Sequence, residues 1–267
     1  MRLADVRALA GEARGLGFAV RDEAAVERAG PIVVTGVLAE QLAKELRAGA
    51  EPGAVVVGSG RADPGASVHV HVIAGDPGPD DEALVRGASR HELETVVVEL
   101  WPQADWTRPF VLSPFVVECR AGEGFPIPEI AARIVEATDD ATDLASRVPV
   151  LADASRSALV KRAVVRSALI GVLGSRRGAS RPLLVREQAR LVTRLRAVSA
   201  GAAVSQELPV LGGGAAALLA SGLALRQVAR SARTVLPAPL AHAAVAAAGT
   251  WALAKAFQQL ESRLPSA

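Results

Sequence analysis

Short β-branched apolar runs alternate with amphipathic segments through the first half of the chain, and this alternation limits the folds open to it. TVVVEL at Thr95–Leu100 has the length and composition of a buried strand. VLAEQLAKEL at Val37–Leu46 repeats leucine at every fourth position, which places those side chains on one helical face. Strands that alternate with helices favour an α/β fold with a mostly parallel sheet covered on both faces. The predicted strands are Ile32–Val34, Ala54–Val57, Val68–Ile73, Thr95–Leu100 and Phe115–Cys119, and the predicted helices are Val37–Leu46, Asp80–His91 and Pro126–Ala137.

Charge divides the chain into two halves of opposite sign. Residues 1–150 carry 14 basic and 24 acidic side chains, a net charge of −10, whereas residues 151–267 carry 16 and 4, a net charge of +12. Opposite signs indicate two domains with different surroundings, or domains that attract each other. The sequence therefore predicts an α/β domain over residues 1–137, a linker over 138–154 and a basic all-helical domain over 155–267.

Composition excludes several classes of site. Aromatic residues make up 3% of the chain and tyrosine is absent, which argues against a surface on which nucleic-acid bases stack. The single cysteine, Cys119, excludes a disulfide framework and a multi-cysteine metal site, and we expect it to be a buried structural residue. The sequence shows no secretory signal at its amino terminus, so we expect a cytoplasmic protein and leave inner-membrane association open.

Ligands of doubly wound α/β folds bind at the carboxyl ends of strands, so the segments that follow predicted strands are the first places to look for a site. Gly36–Gln41 lacks the Gly-Lys-Ser/Thr that holds phosphate and magnesium, and Glu40 would repel phosphate. Gly58–Asp63 shows no dinucleotide fingerprint. His69 and His71 share one face of a strand, but no carboxylate or cysteine has a supporting spacing. We predict no catalytic residue, cofactor or metal.

In order and spacing, the segment from about residue 30 to 137 resembles the GTPase domain of Era-like proteins. Ile32–Gly36 stands where that family has its first strand and phosphate loop, and Val68–Ile73, followed by AGDPG, resembles the strand and turn before the third helix. Thr95–Leu100 resembles the strand that leads to the guanine-reading Asn-Lys-x-Asp, which is replaced here by WPQAD. Glu118–Gly124 (ECRAGEG) resembles the last guanine-side loop. The resemblance implies a degenerate P-loop GTPase fold without its nucleotide motifs.

The second half resembles, more closely, a bacterial helical domain of unknown function that follows Era-like GTPases in some membrane-associated proteins. The resemblance is carried by PLLVREQARLVTRLRAVSAG at Pro182–Gly201, the glycine-rich Gly212–Leu225, the pair Leu236-Pro237, and TWAL at Thr250–Leu253. It implies association with a membrane or a partner and implies no chemistry.

Two basic amphipathic helices are predicted at Ser155–Leu173 and Pro182–Ala200. Opposed apolar and cationic faces suit a helix that lies on an anionic lipid surface or covers an acidic protein partner. A soluble helical bundle with a solvated arginine face is the structural alternative. The predicted contact residues are Arg162, Arg166, Arg186, Arg190 and Arg194.

Two uncharged stretches follow, Leu208–Leu225 and Leu236–Leu253, each at the short limit of what spans a bilayer of about 30 Å. A hairpin of the two would place Arg226, Arg230 and Arg233 on the far side, against the positive-inside tendency. Their small residues equally suit close helix packing in a soluble bundle, so a membrane hairpin and a buried helical pair both remain open.

These observations predict a non-catalytic scaffold or adaptor that places a nucleotide-free α/β domain at the inner membrane surface or against a protein partner. One alternative is a nucleotide-binding switch or GTPase with a divergent phosphate loop that uses Gly36, Gly58 and Gly60. Another is a soluble homo-oligomer joined through the Ala/Gly-rich helices. Nucleic acid is disfavoured as a partner because the chain has no reading motif and no interleaved aromatic residues.

Overall fold

The computed structural model describes residues 29–102, 114–138, 141–174, 180–200 and 238–261. These residues divide into an α/β unit within Glu27–Ala158, which also takes in residues 197–200, and a helical unit within Leu159–Arg196 and 238–261. The division between the units falls inside a long helix, well beyond residue 137, where the sequence predicted the α/β domain to end.

The α/β unit follows the predicted alternation of strands and helices. The five strands and three helices predicted between residues 32 and 137 are present, with ends that differ by at most two residues from the prediction; a further short helix predicted over residues 2–16 lies outside the described residues. Its strands are β1 (Ile32–Gly36), β2 (Val55–Val57), β3 (Val68–Ala74), β4 (Thr95–Leu100) and β5 (Phe115–Cys119), and its first three helices are α1 (Ala39–Leu46), α2 (Pro79–Arg90) and α3 (Ile127–Ala137).

The five strands form one sheet in the order β2-β1-β3-β4-β5, and every neighbouring pair is parallel. The α/β class and the parallel sheet are thus confirmed. After β1 the chain turns toward β2, and after β3 it turns toward β4, so the two connections leave in opposite directions from adjacent strands. In open α/β sheets the crevice at this point, beside the carboxyl ends of the strands, is where ligands bind.

Alternate residues give the sheet one apolar face and one face on which polar residues lie among valine and isoleucine, here called the polar face. The apolar face carries valine, isoleucine and leucine on all the central strands, as the pairs Val34↔Val70 and Val70↔Val96 illustrate. Helix α2 lies on the polar face, because its Asp81 contacts the strand residue His71. Right-handed crossover places α1 on the opposite face. The buried polar residues of the polar face are Thr35, His69, His71, Thr95 and Glu99.

Residues 138–154, which the sequence predicted as a linker, contain ordered structure of the α/β unit. Helix α4 (Ala141–Arg147) is followed by a 3₁₀ turn at Pro149–Leu151, which packs against α3. Leu144 and Leu151 are fully buried. The acidic pair Asp139-Asp140 suggested a solvated segment, but the apolar side chains that follow it extend the core.

A buried arginine ties α4 to the residues that precede β1. The guanidinium of Arg147 donates to the carbonyl oxygens of Ala29 (2.5 Å) and Gly30 (3.2 Å). It also donates to Asp143 Oδ2 (3.1 Å), and that same oxygen accepts the N–H of Ala29 (3.0 Å). The linker prediction thus missed an ion pair within α4 whose hydrogen bonds to the backbone of Ala29 and Gly30 join two segments more than 100 residues apart in sequence.

The described residues of the helical unit lie on α5 (Ala152–Gly174), α6 (Ser180–Ala200) and α7 (Ala238–Glu261). Helices α5 and α6 match the two predicted basic helices. The predicted stretch Leu208–Leu225 lies outside the described residues, and Leu236–Leu253 corresponds to α7 from Ala238 onward.

Helices α5 and α7 cross at close range through small residues. The Thr250 hydroxyl donates to Ser167 Oγ at 2.8 Å in a buried hydrogen bond. A Cβ atom at Gly171 would lie 2.7 Å from the carbonyl oxygen of His242, so only glycine allows this approach. Because Ser167 meets Thr250 while Gly171 meets His242, the two helices run antiparallel. Small residues let helix backbones approach in this way in soluble and membrane bundles alike.

Among the described helices, one is long and apolar enough to cross a bilayer by length and composition alone. It is Pro239–Gln259 of α7, with a mean hydropathy of 1.2 and a third of its most apolar window (33%) buried. A partly buried helix of a soluble bundle has the same composition. Both possibilities predicted for Leu236–Leu253 are therefore compatible with α7.

Candidate functional site

The connection between β1 and α1, at the crevice where ligands bind in such sheets, is only two residues long. Val37 and Leu38 join Gly36 directly to the first turn of α1. The N–H of Val37 donates to the carbonyl oxygen of Val72 (2.9 Å), so it points into the sheet and not toward a ligand. A phosphate loop needs several backbone N–H groups directed at the anion, and this connection is too short to supply them.

Gly36 itself holds β1 against β3. Its φ of +91° is a conformation that favours glycine, and a Cβ atom there would lie 2.0 Å from the carbonyl oxygen of Val72. The missing side chain of Gly36 therefore allows β1 and β3 to lie close together. In a phosphate loop, a glycine instead allows a ligand to approach the backbone. Val37 and Leu38 are exposed beside it, so the predicted phosphate position presents apolar side chains.

The second glycine-rich segment, Gly58–Asp63, lies against the polar face of the sheet. The N–H of Gly58 donates to the carbonyl oxygen of Val34 (2.9 Å). A Cβ atom at Gly58 would approach the side-chain methyl groups of Val33 and Thr35 to 2.6 and 2.9 Å. This glycine thus lets the segment cover Thr35. Gly58 therefore serves close packing against the sheet, and its N–H already donates a hydrogen bond to the sheet.

A chain of three polar side chains crosses the polar face next to this segment. Thr35 Oγ1 lies 2.9 Å from His71 Nδ1, and His71 Nε2 lies 2.7 Å from Asp81 Oδ1. A carboxylate only accepts hydrogen bonds, so Nε2 carries the proton and Nδ1 accepts from the Thr35 hydroxyl. Asp81 Oδ2 accepts the N–H of Gly78 at 2.7 Å and so caps α2.

The order hydroxyl, imidazole, carboxylate is the one that activates a nucleophile in hydrolases. Here the Thr35 side chain is fully buried and His71 is 5% exposed, so no substrate reaches either group. The three residues join β1, β3 and α2. The sequence placed His71 on the correct face but missed Asp81 as its carboxylate partner. The signal available was an aspartate at the third position of the helix that follows the strand.

His69, on the same face, contacts the backbone of Asp63. Its Nε2 lies 3.1 Å from the Asp63 nitrogen and 3.3 Å from the Asp63 oxygen. Burial is the main cause that lowers the pKa of His69 below its ordinary 6.5, and the nearby His71 lowers it further. The Asp63 contacts act in the opposite direction. Among the described residues, no group of three or more His, Cys, Asp and Glu side chains could hold a metal ion.

The lowered pKa of His69 makes the stability of the α/β unit depend on pH. The unfolded chain binds a proton at this residue near pH 6.5, and the folded chain binds it only at lower pH. Stability is therefore present above that value and is lost as the pH falls toward the folded pKa. We expect the urea concentration at the unfolding midpoint to decrease as the pH is lowered from about 7.5 to about 5.5. We expect a smaller decrease in His69→Gln. The exposed His91→Gln is the control and should keep the wild-type slope; an unchanged slope in His69→Gln would contradict the assignment.

At the end of β5, Cys119 is the buried structural residue that the sequence predicted. Its thiol donates to the carbonyl oxygen of Gly124 at 3.5 Å, and burial raises its pKa, with nearby Glu123 adding to the effect. Burial and the raised pKa both disfavour the thiolate, which is the reactive form of cysteine. A polar cleft beside it is lined by Val116, Glu118, Arg120, Glu123, Pro126 and Glu129.

The structure places the five predicted contact arginines on two neighbouring helices. Arg162 and Arg166 are exposed on α5, and Arg166 Nη1 lies 3.5 Å from Glu187 Oε1 of α6. On α6, Arg186 is exposed while Arg190 and Arg194 are half-buried. The exposed cationic surface is therefore centred on α5 and the first half of α6.

Sequence reasoning missed an apolar stripe on the exposed side of α5. Val165, Leu169 and Val172 are all exposed, although the sequence assigned the apolar residues of this helix to its buried side. The sequence predicted that the apolar side of this helix is formed by Leu159, Val160, Ala163, Val164 and Ile170. Of these, Leu159 and Ala163 are buried and the other three are half-buried. The helix thus has two apolar stripes, and a search for one apolar and one cationic face detects only the first.

No known protein family, curated protein or solved structure matches this chain. The resemblance to Era-like GTPases and to their helical companion domain therefore stays a prediction.

Proposed function

We propose that this protein is a non-catalytic scaffold. In this proposal its α/β unit is a P-loop GTPase-like fold that binds no nucleotide, and its second half is a basic all-α domain. The basic domain attaches the chain to an anionic surface, that of the inner membrane or of an acidic protein.

The observation that carries the proposal is the two-residue connection between Gly36 and α1. Nucleotide-binding α/β domains grip phosphate with backbone N–H groups at this position. Here the N–H of Val37 is bonded to Val72, and Glu40 adds a negative charge in the first turn of α1. In the Thr35–His71–Asp81 chain, the hydroxyl and the imidazole are buried, and both oxygens of the partly exposed Asp81 carboxylate already accept hydrogen bonds.

The charge of the second half supports the other part of the proposal. Residues 151–267 carry 16 basic and 4 acidic side chains. Lys161, Arg162, Arg166 and Arg186 are exposed on α5 and α6. A surface of this sign attracts anionic lipid or acidic protein, and the attraction weakens as salt is added.

Isothermal titration of the full chain with GTP, GDP and ATP in the presence of Mg²⁺ tests the nucleotide part. We expect no heat of binding up to about 1 mM nucleotide and no rise in thermal midpoint. A Kd in the micromolar range or tighter would contradict the proposal and favour the nucleotide switch. Any heat that appeared would be traced with Gly60→Ala, because Gly60 lies in the second glycine-rich segment and a Cβ atom there meets no other atom within 4 Å; the φ of +82° adds a backbone cost of about 1 kcal/mol, so the thermal midpoint of this variant is measured alongside.

A further inference from the structure

The apolar stripe of α5 is continuous along nearly two turns of the helix. Val165 and Leu169 are 59% and 57% exposed, and Val172 is 37% exposed. Their spacing of four and three residues places the three side chains within one narrow sector of the helix. Isolated exposed apolar residues are ordinary, but an aligned set of three valine and leucine side chains forms one apolar strip, the kind of surface that calls for an explanation.

The stripe faces away from the packing of α5 against α7, within the part of its unit that the structure describes. Ser167 and Gly171 of the same helix contact α7, and at about 100° per residue they lie on the side opposite to Val165. Leu159 and Ala163 are buried on that opposite side as well. The stripe is therefore separate from the core that the described helices form.

Cationic side chains border the stripe on both sides. Lys161, four residues before Val165, lies about 40° to one side of it, and Arg162, three residues before, lies about 60° to the other. Both are exposed. Long basic side chains that flank an apolar strip reach the phosphate layer while the strip enters the boundary between headgroups and acyl chains.

We propose that α5 lies parallel to an anionic bilayer surface, with Val165, Leu169 and Val172 inserted between the headgroups and with Lys161 and Arg162 on their phosphates. This inference rests on the proposed scaffold function and names its partner as a lipid bilayer. Basic residues on both flanks favour a bilayer, which offers anionic groups on every side of an inserted strip. An apolar groove in a protein would need matching acids on both of its rims.

Flotation of the full chain with vesicles tests the inference. We expect the chain to float with phosphatidylglycerol/phosphatidylcholine vesicles and to remain unbound with phosphatidylcholine alone. The triple variant Val165→Gln, Leu169→Gln, Val172→Gln keeps every charge and should bind the anionic vesicles at least about tenfold more weakly. The double variant Lys161→Gln, Arg162→Gln should lose about 25-fold, at about fivefold for each cation.

A matched control removes exposed apolar side chains elsewhere in the same unit. Leu240 and Trp251 of α7 are 55% and 53% exposed, similar to Val165 and Leu169. Leu240→Gln with Trp251→Gln should leave vesicle binding within about twofold of the wild type, if circular dichroism shows that all variants keep their helix content.

The outcomes separate this inference from the proposed function. Three results would each overturn the inserted stripe. The triple glutamine variant could bind vesicles as tightly as the wild type, the wild-type chain could fail to float with anionic vesicles, or the control variant could lose as much binding as the triple variant. If the five contact arginines are changed to glutamate and vesicle binding is unchanged, the cationic contact of the proposed function fails as well. The nucleotide titration tests the scaffold proposal independently of both results.

Discussion

Gly36→Ala will lower the free energy of unfolding of the α/β unit by at least about 3 kcal/mol. Two costs add at this position. The φ of +91° is unfavourable for any residue with a Cβ atom, and that atom would lie 2.0 Å from the carbonyl oxygen of Val72. Since the clash is with backbone, β1 and β3 must separate at their carboxyl ends to relieve it. Urea unfolding combined with hydrogen exchange of the β1 and β3 amides measures both the loss and its location.

Gly75→Ala is the matched control, because it adds the same methyl group at a positive φ. The φ of Gly75 is +76°, but a Cβ atom there meets nothing within 4 Å. Its cost is the backbone term alone, about 1 kcal/mol. If the two variants were equally destabilised, the contact with Val72 would contribute nothing, and the account of Gly36 as a strand-contact residue would be wrong.

Arg147→Met will destabilise the α/β unit by about 3 kcal/mol, because it breaks a buried ion pair from one side. Methionine fills much of the same volume but donates no hydrogen bond. The carbonyl oxygens of Ala29 and Gly30 and the carboxylate of Asp143 would each lose a donor. Thermal unfolding, with hydrogen exchange at Ala29 and in α4, measures the effect.

Arg133→Met gives the corresponding change in an exposed pair. Arg133 Nη1 lies 2.6 Å from Glu136 Oε2 on the surface of α3, three residues away. Exposed pairs of this kind contribute at most about 1 kcal/mol. A loss at Arg147 no larger than that at Arg133 would show that burial adds nothing to the Arg147 interaction, contrary to the hydrogen bonds that hold the chain before β1.

The strands and helices of the α/β unit could be predicted because their signals are local. TVVVEL is too apolar and β-branched to be anything but a buried strand, and the leucines of Val37–Leu46 repeat at helical spacing. The strand order agrees with the predicted parallel sheet. The role of residues 141–151 was not predictable in this way, since it depends on Arg147 reaching Ala29 and Gly30, far away in the sequence.

In the candidate sites, too, local sequence signals could be predicted, whereas contacts between distant residues could not. The absence of a phosphate-loop sequence is visible in Gly36–Gln41, but the use of Gly36 in strand contact requires the position of Val72. His69 and His71 were correctly placed on one face, whereas their different partners, Asp63 and Asp81, follow from the way a loop and a helix cover that face. On α5, periodicity identified the buried stripe and overlooked Val165 and Leu169, because basic residues border the second stripe and gave that side of the helix a cationic appearance.

The carboxylate of Asp81 makes two hydrogen bonds at once. One oxygen accepts the amide N–H of Gly78, and the other accepts from the imidazole of His71. A shift of the β3–α2 turn would therefore remove the hydrogen-bond acceptor of the buried His71 and would disturb the hydrogen bond between His71 and the Thr35 hydroxyl. The position of this turn and the hydrogen bonding of two buried strand residues are therefore coupled within the α/β unit.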